Sequence, residues 1–334
     1  RLTWAQQVRA ASLAHPKAGA TWSAAREAIA KADDVVASTR YAGLSIPLAD
    51  EAVIGLVPIG MNPVTKLWEF YDLRSAWDGK QAATEIEIPT HQEDGSIDVK
   101  AGTGIVFVLL PGGTVTLGSQ KNDPDAPFYD PQRQDDETLH EVTLSPFFLA
   151  RHELTRGQWQ RLAGDQPTGW EDGSRYDGDR IAIGRTHPAD SMDWDTGDRW
   201  MTRHGMALPT EAQWEYGARG GTTTVFWPGQ TAADLQGCAN VHDKTSFERF
   251  PQWGEPAPIT DGFRALAPVA SFRPNGFGLF DVHGNVWEWC RDWYGDYGRE
   301  RVGDGLRSVS SPAFRTYRGG SYVNPAVYAR SANR

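Results

Sequence analysis

From Gly221 to Arg334 the chain runs through loops rich in Gly, Pro, Asp and Trp, without a sustained helical or strand period. Any fold for this sequence has to hold those loops in place. Long structured loops are uncommon in compact domains unless function or an internal pin fixes them. The 35 Gly and 14 Trp supply one kind of pin. Gly permits tight turns, and Trp fills irregular spaces between loops. Metal ions are the other kind, and the loops carry the oxygen-bearing side chains such ions need.

The segments ahead of the loops are more regular. Residues 1–40 read as helical, because WSAAREAIAKADDVVAST sets apolar positions near helical spacing before a polar break at Ser38-Thr39. Residues 53–75 read as a β-hairpin turning at Asn62-Pro63. A polar stretch from Ala76 to the Glu93-Asp94-Gly95 turn marks the main boundary. The expected organisation is a helical linker over 1–45, a small hairpin module over 46–95 and a domain over 96–334. Within that domain GIVFVLLPGGTVTLGS reads as strand, turn and strand, and HEVTLSPFFLARHELT as two more strands. A helix capped by Thr155 runs on to Ala163, and Pro209-Thr210 opens another that Gly220-Gly221 stops.

Charge and cysteine content narrow the function. A net charge of −10 argues against nucleic acid as the main partner, since phosphate binding needs a basic face. No apolar run has the length of a membrane helix. Cys238 and Cys290 are too few for a disulfide scaffold and read as buried thiols in a cytoplasmic protein. Residue 1 is Arg with no signal-like apolar segment after it, so the sequence reads as part of a longer chain.

The richest constellation is PNGFGLFDVHGNVWEWCRDWY, residues 274–294. Asp281, Asn285 and Glu288 place three oxygen-bearing side chains close together, and Gly284 allows a bend between them. That combination suits calcium, which takes six to eight oxygens and accepts backbone carbonyls. Asn240 with Asp261-Gly262-Phe263 is a second candidate. Neither spacing is that of an EF-hand, and Asp, Asn and Gly in loops are also ordinary turn formers.

LPTEAQWEYGARGG, NGFGLFDVHGNVWEW and RGGSY, in that order, resemble the formylglycine-generating enzyme (sulfatase-modifying factor) family. PGGTVTLGS, HEVTLSPFFLARHELTRGQW and HPADSMDWD are similar to its earlier segments, so the likeness spans about residues 104–334. The resemblance implies an α+β, C-type lectin-like fold with small twisted antiparallel sheets, two main helices and long metal-pinned loops. It also implies two calcium sites. One would use the Asn240 and Asp261 side chains with the Val241 and Phe263 carbonyls. The other would use Asp281 and Glu288 with the Gly284 and Val286 carbonyls, Asp281 standing where the family usually has Asn.

The family's catalytic pair does not carry over. Its oxidases have one cysteine two residues after GGSY and another five residues later; together they bind copper and activate O2. Here the first position is Asn324, and ARSANR suggests a shortened loop without the second. No soft thiolate site for copper is expected. A related branch uses non-heme iron on a histidine triad. The eight histidines here, including His140 and His187, show no such spacing and read as structural, so neither copper nor iron is expected.

Two further likenesses bear on role. RYAGLSIPL and the 55–75 segment resemble a linker in bacterial serine/threonine kinases that end in this domain, although no kinase signature is present. RGGSY followed by RSANR resembles the variable region of proteins diversified by retroelements, which display a changeable surface near the C-terminus. That likeness makes Tyr322, Asn324, Val327, Tyr328 and Asn333 ligand-facing, and Tyr and Asn suit an adaptable surface. The family normally continues beyond RSxxR to a final strand, so the expectation is either a tail beyond Arg334 or a last strand that comes from elsewhere. The reading is a non-catalytic recognition module for a protein, peptide or small polar ligand, with an upstream kinase-like domain as a possible companion. The alternatives are a metal-dependent oxidoreductase and a structural appendage of a kinase-like protein. Trp170, Trp194, Trp200, Trp227 and Trp253 are surplus tryptophans that argue mildly for contacts.

Overall fold

A computed structural model describes residues 8, 10–12, 14–30, 41, 55–165, 173–174, 182–310 and 313–334. Helix α1 (Ala18–Ala30) buries Ala18, Trp22, Ala25 and Ile29, one helical face. The Trp22 ring lies 5.5 Å from Phe70, and its indole donates to the Ser12 carbonyl. Phe70 belongs to the expected hairpin, β1 (Leu56–Met61) and β2 (Trp68–Asp72). Asn62 makes the turn by accepting from the Val64 and Thr65 amides, an Asx turn that Pro63 presets. The Ser38-Thr39 break and most of RYAGLSIPL lie outside the described residues.

The hairpin is not a separate module. β2 pairs with β3 (Val106–Leu110), and β3 pairs with β6 (Phe147–Ala150), giving one antiparallel sheet in the order β1-β2-β3-β6. Burial explains this. All five β2 residues are buried, so the strand needs a neighbour on each side. One core runs from α1 through this sheet to Trp214, Leu279 and Cys290. The boundary expected at residue 95 therefore falls inside a continuous structure.

Pro111-Gly112-Gly113 sends the chain out of this sheet. Gly112 has φ 69°, and a Cβ there would meet the Leu144 carbonyl at 2.4 Å, so only Gly fits. The next strand, β4 (Gly113–Leu117), pairs with β5 (His140–Leu144) in a second, two-stranded sheet. Helix α2 (Arg156–Ala163) has the expected Thr155 cap, boxed by Gln158, and ends at Gly164 in the left-handed region. Helix α3 (Trp194–Arg203), capped by Asp193, adds to the two main helices expected. Helix α4 (Glu211–Arg219) has the expected Thr210 cap and Gly220 stop. A third sheet, β7 (Glu288–Trp293) with β8 (Arg315–Arg318), lies in the region read as loops. The class is α+β with small antiparallel sheets, as expected.

Phe70 is fully buried between Trp22 and Phe148. Phe70→Ala is expected to destabilise the whole chain by about 3–5 kcal/mol in a single denaturation transition. Two transitions, with only the smaller one shifted, would instead make the hairpin a separate module.

Candidate functional site

The C-terminal segment divides into an anchor and a display. Arg318 on β8 donates to the Ser331, Ala332 and Asn333 carbonyls and to Glu215 at 2.6 Å. Arg330 pairs with Glu137 at 2.7 Å and with Asp130. Arg334 reaches Glu211 at 3.1 Å and lies over the Tyr294 and Tyr297 rings. The guanidiniums beside Glu215 outweigh its burial and hold its carboxyl down at about 2. RSANR is thus held in a three-arginine lock made by its own Arg330 and Arg334 with Arg318 of β8. Asn333 belongs to it, being buried and donating to Glu137 at 3.4 Å, so it does not share a surface with the other expected ligand-facing residues.

The display lies between β8 and the lock. Tyr322 is half-buried with Trp253 edge-on at 6.0 Å, Val327 is half-buried, and Tyr328 is exposed. Asn324 is held from three sides. Its Oδ1 accepts from the Trp287 indole at 3.0 Å and from Ser321 at 2.6 Å, and its carbonyl accepts from the His242 amide. Its Nδ2 has no partner among the described residues. Five residues on, the chain carries Ala329, which is buried. Asn324 stands where the resemblance places the first cysteine of the oxidases, and residues 319–334 hold no cysteine that could supply the second. Trp194, Trp200, Trp227 and Trp253 are all half-buried. Trp170 lies outside the described residues.

Beneath this face lie the two expected oxygen clusters. In the first, Asp261 accepts from the Val241 and Phe263 amides. Asp243, which sequence reasoning missed, accepts from the Asp261 amide at 2.7 Å. Burial, and then the charge of Asp243, push Asp261 up to about 8. Asn240 donates to the Ala265 carbonyl and to Asn285, while its own Oδ1 is buried without a partner.

In the second cluster Asp281 accepts from the Ala270 amide through Oδ2, and its Oδ1 is buried and orphaned. Burial raises Asp281 to about 7, and burial with the Asp281 charge raises Glu288 to about 8. A third acid, Glu153, was not anticipated. It accepts from the Val286 amide and from Asn285, and burial with the charges of Asp281 and Glu288 pushes it well above the carboxylate range. Gly284 sets the spacing, because a Cβ there would fall 1.9 Å from the Asn240 carbonyl. Among the described residues no three His, Cys, Asp or Glu side chains surround one point suited to a metal ion. Either site would therefore depend on amide and carbonyl oxygens as well as acids. The orphaned oxygens and the uncompensated acids fit a hard, oxygen-seeking cation such as calcium.

Each of four histidines has a partner on one ring nitrogen, while His152 Nε2, His187 Nε2 and His283 Nδ1 are buried without one among the described residues. His152 bonds the Glu153 carbonyl and burial lowers it to about 4, and His283 accepts from the Trp227 amide and is lowered to about 3. His187 accepts from the Gly184 amide, and His140 bonds the Thr138 carbonyl and stacks on Tyr297. Cys238 and Cys290 are buried and unpaired.

A family model for the sulfatase-modifying factor enzyme 1-like domain matches residues 98–334. The chain belongs to that family. It is 30% identical over 239 residues to a formylglycine-generating enzyme of Thermomonospora curvata, covering 56% of this chain and 71% of the relative. It is 28% identical over 245 residues to serine/threonine-protein kinase pkn1 of Chlamydia caviae, covering 68% of this chain and 35% of the kinase. Of two further formylglycine-generating enzymes, from Streptomyces coelicolor and Bos taurus, it spans 48% and 35%. Treponema denticola variable protein 1 superposes with a TM-score of 0.52 at 22% identity, over 71% of this chain and 91% of that one, and so shares the C-type lectin-like fold. The family match starts near the expected boundary, although the first sheet crosses it.

Two outcomes follow. Arg330→Ala leaves Glu137 and Asp130 buried without their cation and is expected to cost about 3–5 kcal/mol in denaturant unfolding; a loss below about 1 kcal/mol would mean that the lock is not structural. The raised acids set a pH trend. Unfolded, they ionise near pH 4, but folded they keep protons to pH 7–8, so the native state binds more protons in between. Chelator-treated protein should lose thermal stability as pH rises from about 4 to about 8, and added calcium should remove the trend. A melting temperature flat across that range without calcium would contradict the assignment.

Proposed function

We propose that the chain is a non-catalytic recognition module on a calcium-pinned scaffold, binding a protein, peptide or small polar ligand at its C-terminal face. The observation that carries this reading is the absence of any cysteine from residues 319–334, with Asn324 where the resemblance places the first of the oxidases' pair. Asn324 is fixed by Trp287, Ser321 and His242, with Nδ2 turned to no other described group. Tyr322, Tyr328, Val327 and Trp253 surround it with aromatic and apolar area. Such a surface binds through rigid rings and a few placed donors.

Calcium would be held by Asn240 and Asp261 with the Val241 and Phe263 carbonyls, and by Asp281 and Glu288 with the Gly284 and Val286 carbonyls. It would supply the positive charge that lets the buried acids ionise, and it would cross-link loops that have little regular structure. The match to pkn1 supports a place downstream of a kinase-like or other effector domain. Two unpaired buried thiols fit a reducing, cytoplasmic setting. Among the described residues no helix is long and apolar enough to cross a membrane. The relatives named as formylglycine-generating enzymes support the oxidoreductase alternative.

One pair of assays separates the readings. Metal analysis should find about two calcium ions per chain and neither copper nor iron in stoichiometric amount. Incubation with copper, oxygen and a cysteine-containing peptide should then leave the thiol unconverted. Peptide aldehyde forming at enzyme-dependent rates would overturn the proposal.

A further inference from the structure

The two acid clusters meet at one residue. The Asn285 side chain donates from Nδ2 to Glu153 at 2.6 Å, in the second cluster, and accepts through Oδ1 from Asn240 Nδ2 at 3.0 Å, in the first. Its backbone repeats the link, since the Asn285 amide donates to the Asn240 carbonyl at 2.7 Å. The Ala267 amide and carbonyl hold the same side-chain amide from the flank. The Asn285 carbonyl accepts from the Tyr322 amide in the display loop. Asn285 is fully buried with φ 56°, a left-handed conformation that Asn tolerates better than most residues.

This wiring has a directional consequence. With Nδ2 of Asn240 committed to Asn285 and to the Ala265 carbonyl, Oδ1 of Asn240 is left as the orphaned atom of the first cluster. The orientation of the Asn285 amide is set in turn by Glu153, which faces Asp281 and Glu288. A cation on Asn240 Oδ1 would polarise this chain of amides and strengthen the donor that Glu153 accepts, so each cation favours the charge arrangement that the other needs.

We infer that Asn285 is a positioning residue that makes the two cation sites fill cooperatively. The inference rests on the calcium reading above and adds coupling between the sites. Calorimetric calcium titration of the full chain, stripped with chelator, tests it. Glu288→Gln and Asp261→Asn each remove one site and report the intrinsic affinity of the other. In the native sequence the product of the two binding constants should exceed the product of the single-site constants at least tenfold. In Asn285→Ala, carrying the same two substitutions in turn, that ratio should fall to about one. The native-sequence comparison stands on its own should Asn285→Ala fail to fold. Two bound calcium ions with a ratio near one would overturn the coupling and leave the calcium reading intact. No calcium binding at all would overturn both.

Discussion

Three carboxylates, Glu153, Asp281 and Glu288, are buried together and none forms an ion pair with a described arginine or lysine. An uncompensated buried charge is too costly to persist, so each must hold a proton or meet a cation. The rest of the loop region depends on which it is. The chain around these acids is held by Gly284 against the Asn240 carbonyl, by left-handed Asp281 and Asn285, and by hydrogen bonds that converge on Asn285. Phe277, Leu279 and Val282 tie the segment into the main core, but they leave the acids' charge unmet. A bound cation would turn its electrostatic liability into the pin that holds it.

The molecule treats its two kinds of buried charge in opposite ways. On the C-terminal side Arg318, Arg330 and Arg334 each have acid partners, and the tail is locked from within. On the loop side the acids have only neutral donors: amides, hydroxyls and, for Glu288, the Trp214 indole. The display residues Tyr322, Asn324, Val327 and Tyr328 sit between the two systems. Asn324 is braced by His242 and Trp287, and Tyr322 by Asn285. A short stretch could then change side chains without loosening the frame, since its backbone is held at both ends. That arrangement suits a recognition surface better than a reaction centre.

Local signals in the sequence were legible where chemistry is local. Asn62-Pro63, the Thr155 and Thr210 caps and the Gly220 stop all act within a few residues of themselves, and each was placed from sequence. The family motifs gave the fold and both oxygen clusters. What sequence reasoning missed was long-range. Glu153 sits in a strand-to-helix segment and gains its meaning only from partners more than a hundred residues on. Asn333 looked like a display residue because its acid partner, Glu137, is distant in sequence. β7 reads EWCRDW, with no period-two alternation of apolar and polar residues, and its partner β8 follows only after a long loop, so neither showed a strand period. The hairpin was taken for a separate module because β2 finds β3 across the polar 76–104 stretch.

The most direct test is a crystal structure of the chain grown in terbium, with data collected at its absorption edge. The account predicts two anomalous peaks, one beside Asn240 Oδ1 and Asp261 and one beside Asp281 Oδ1 and Glu288. A well-ordered structure with no peak at either place, and with water or a protonated acid meeting both orphaned oxygens, would contradict it.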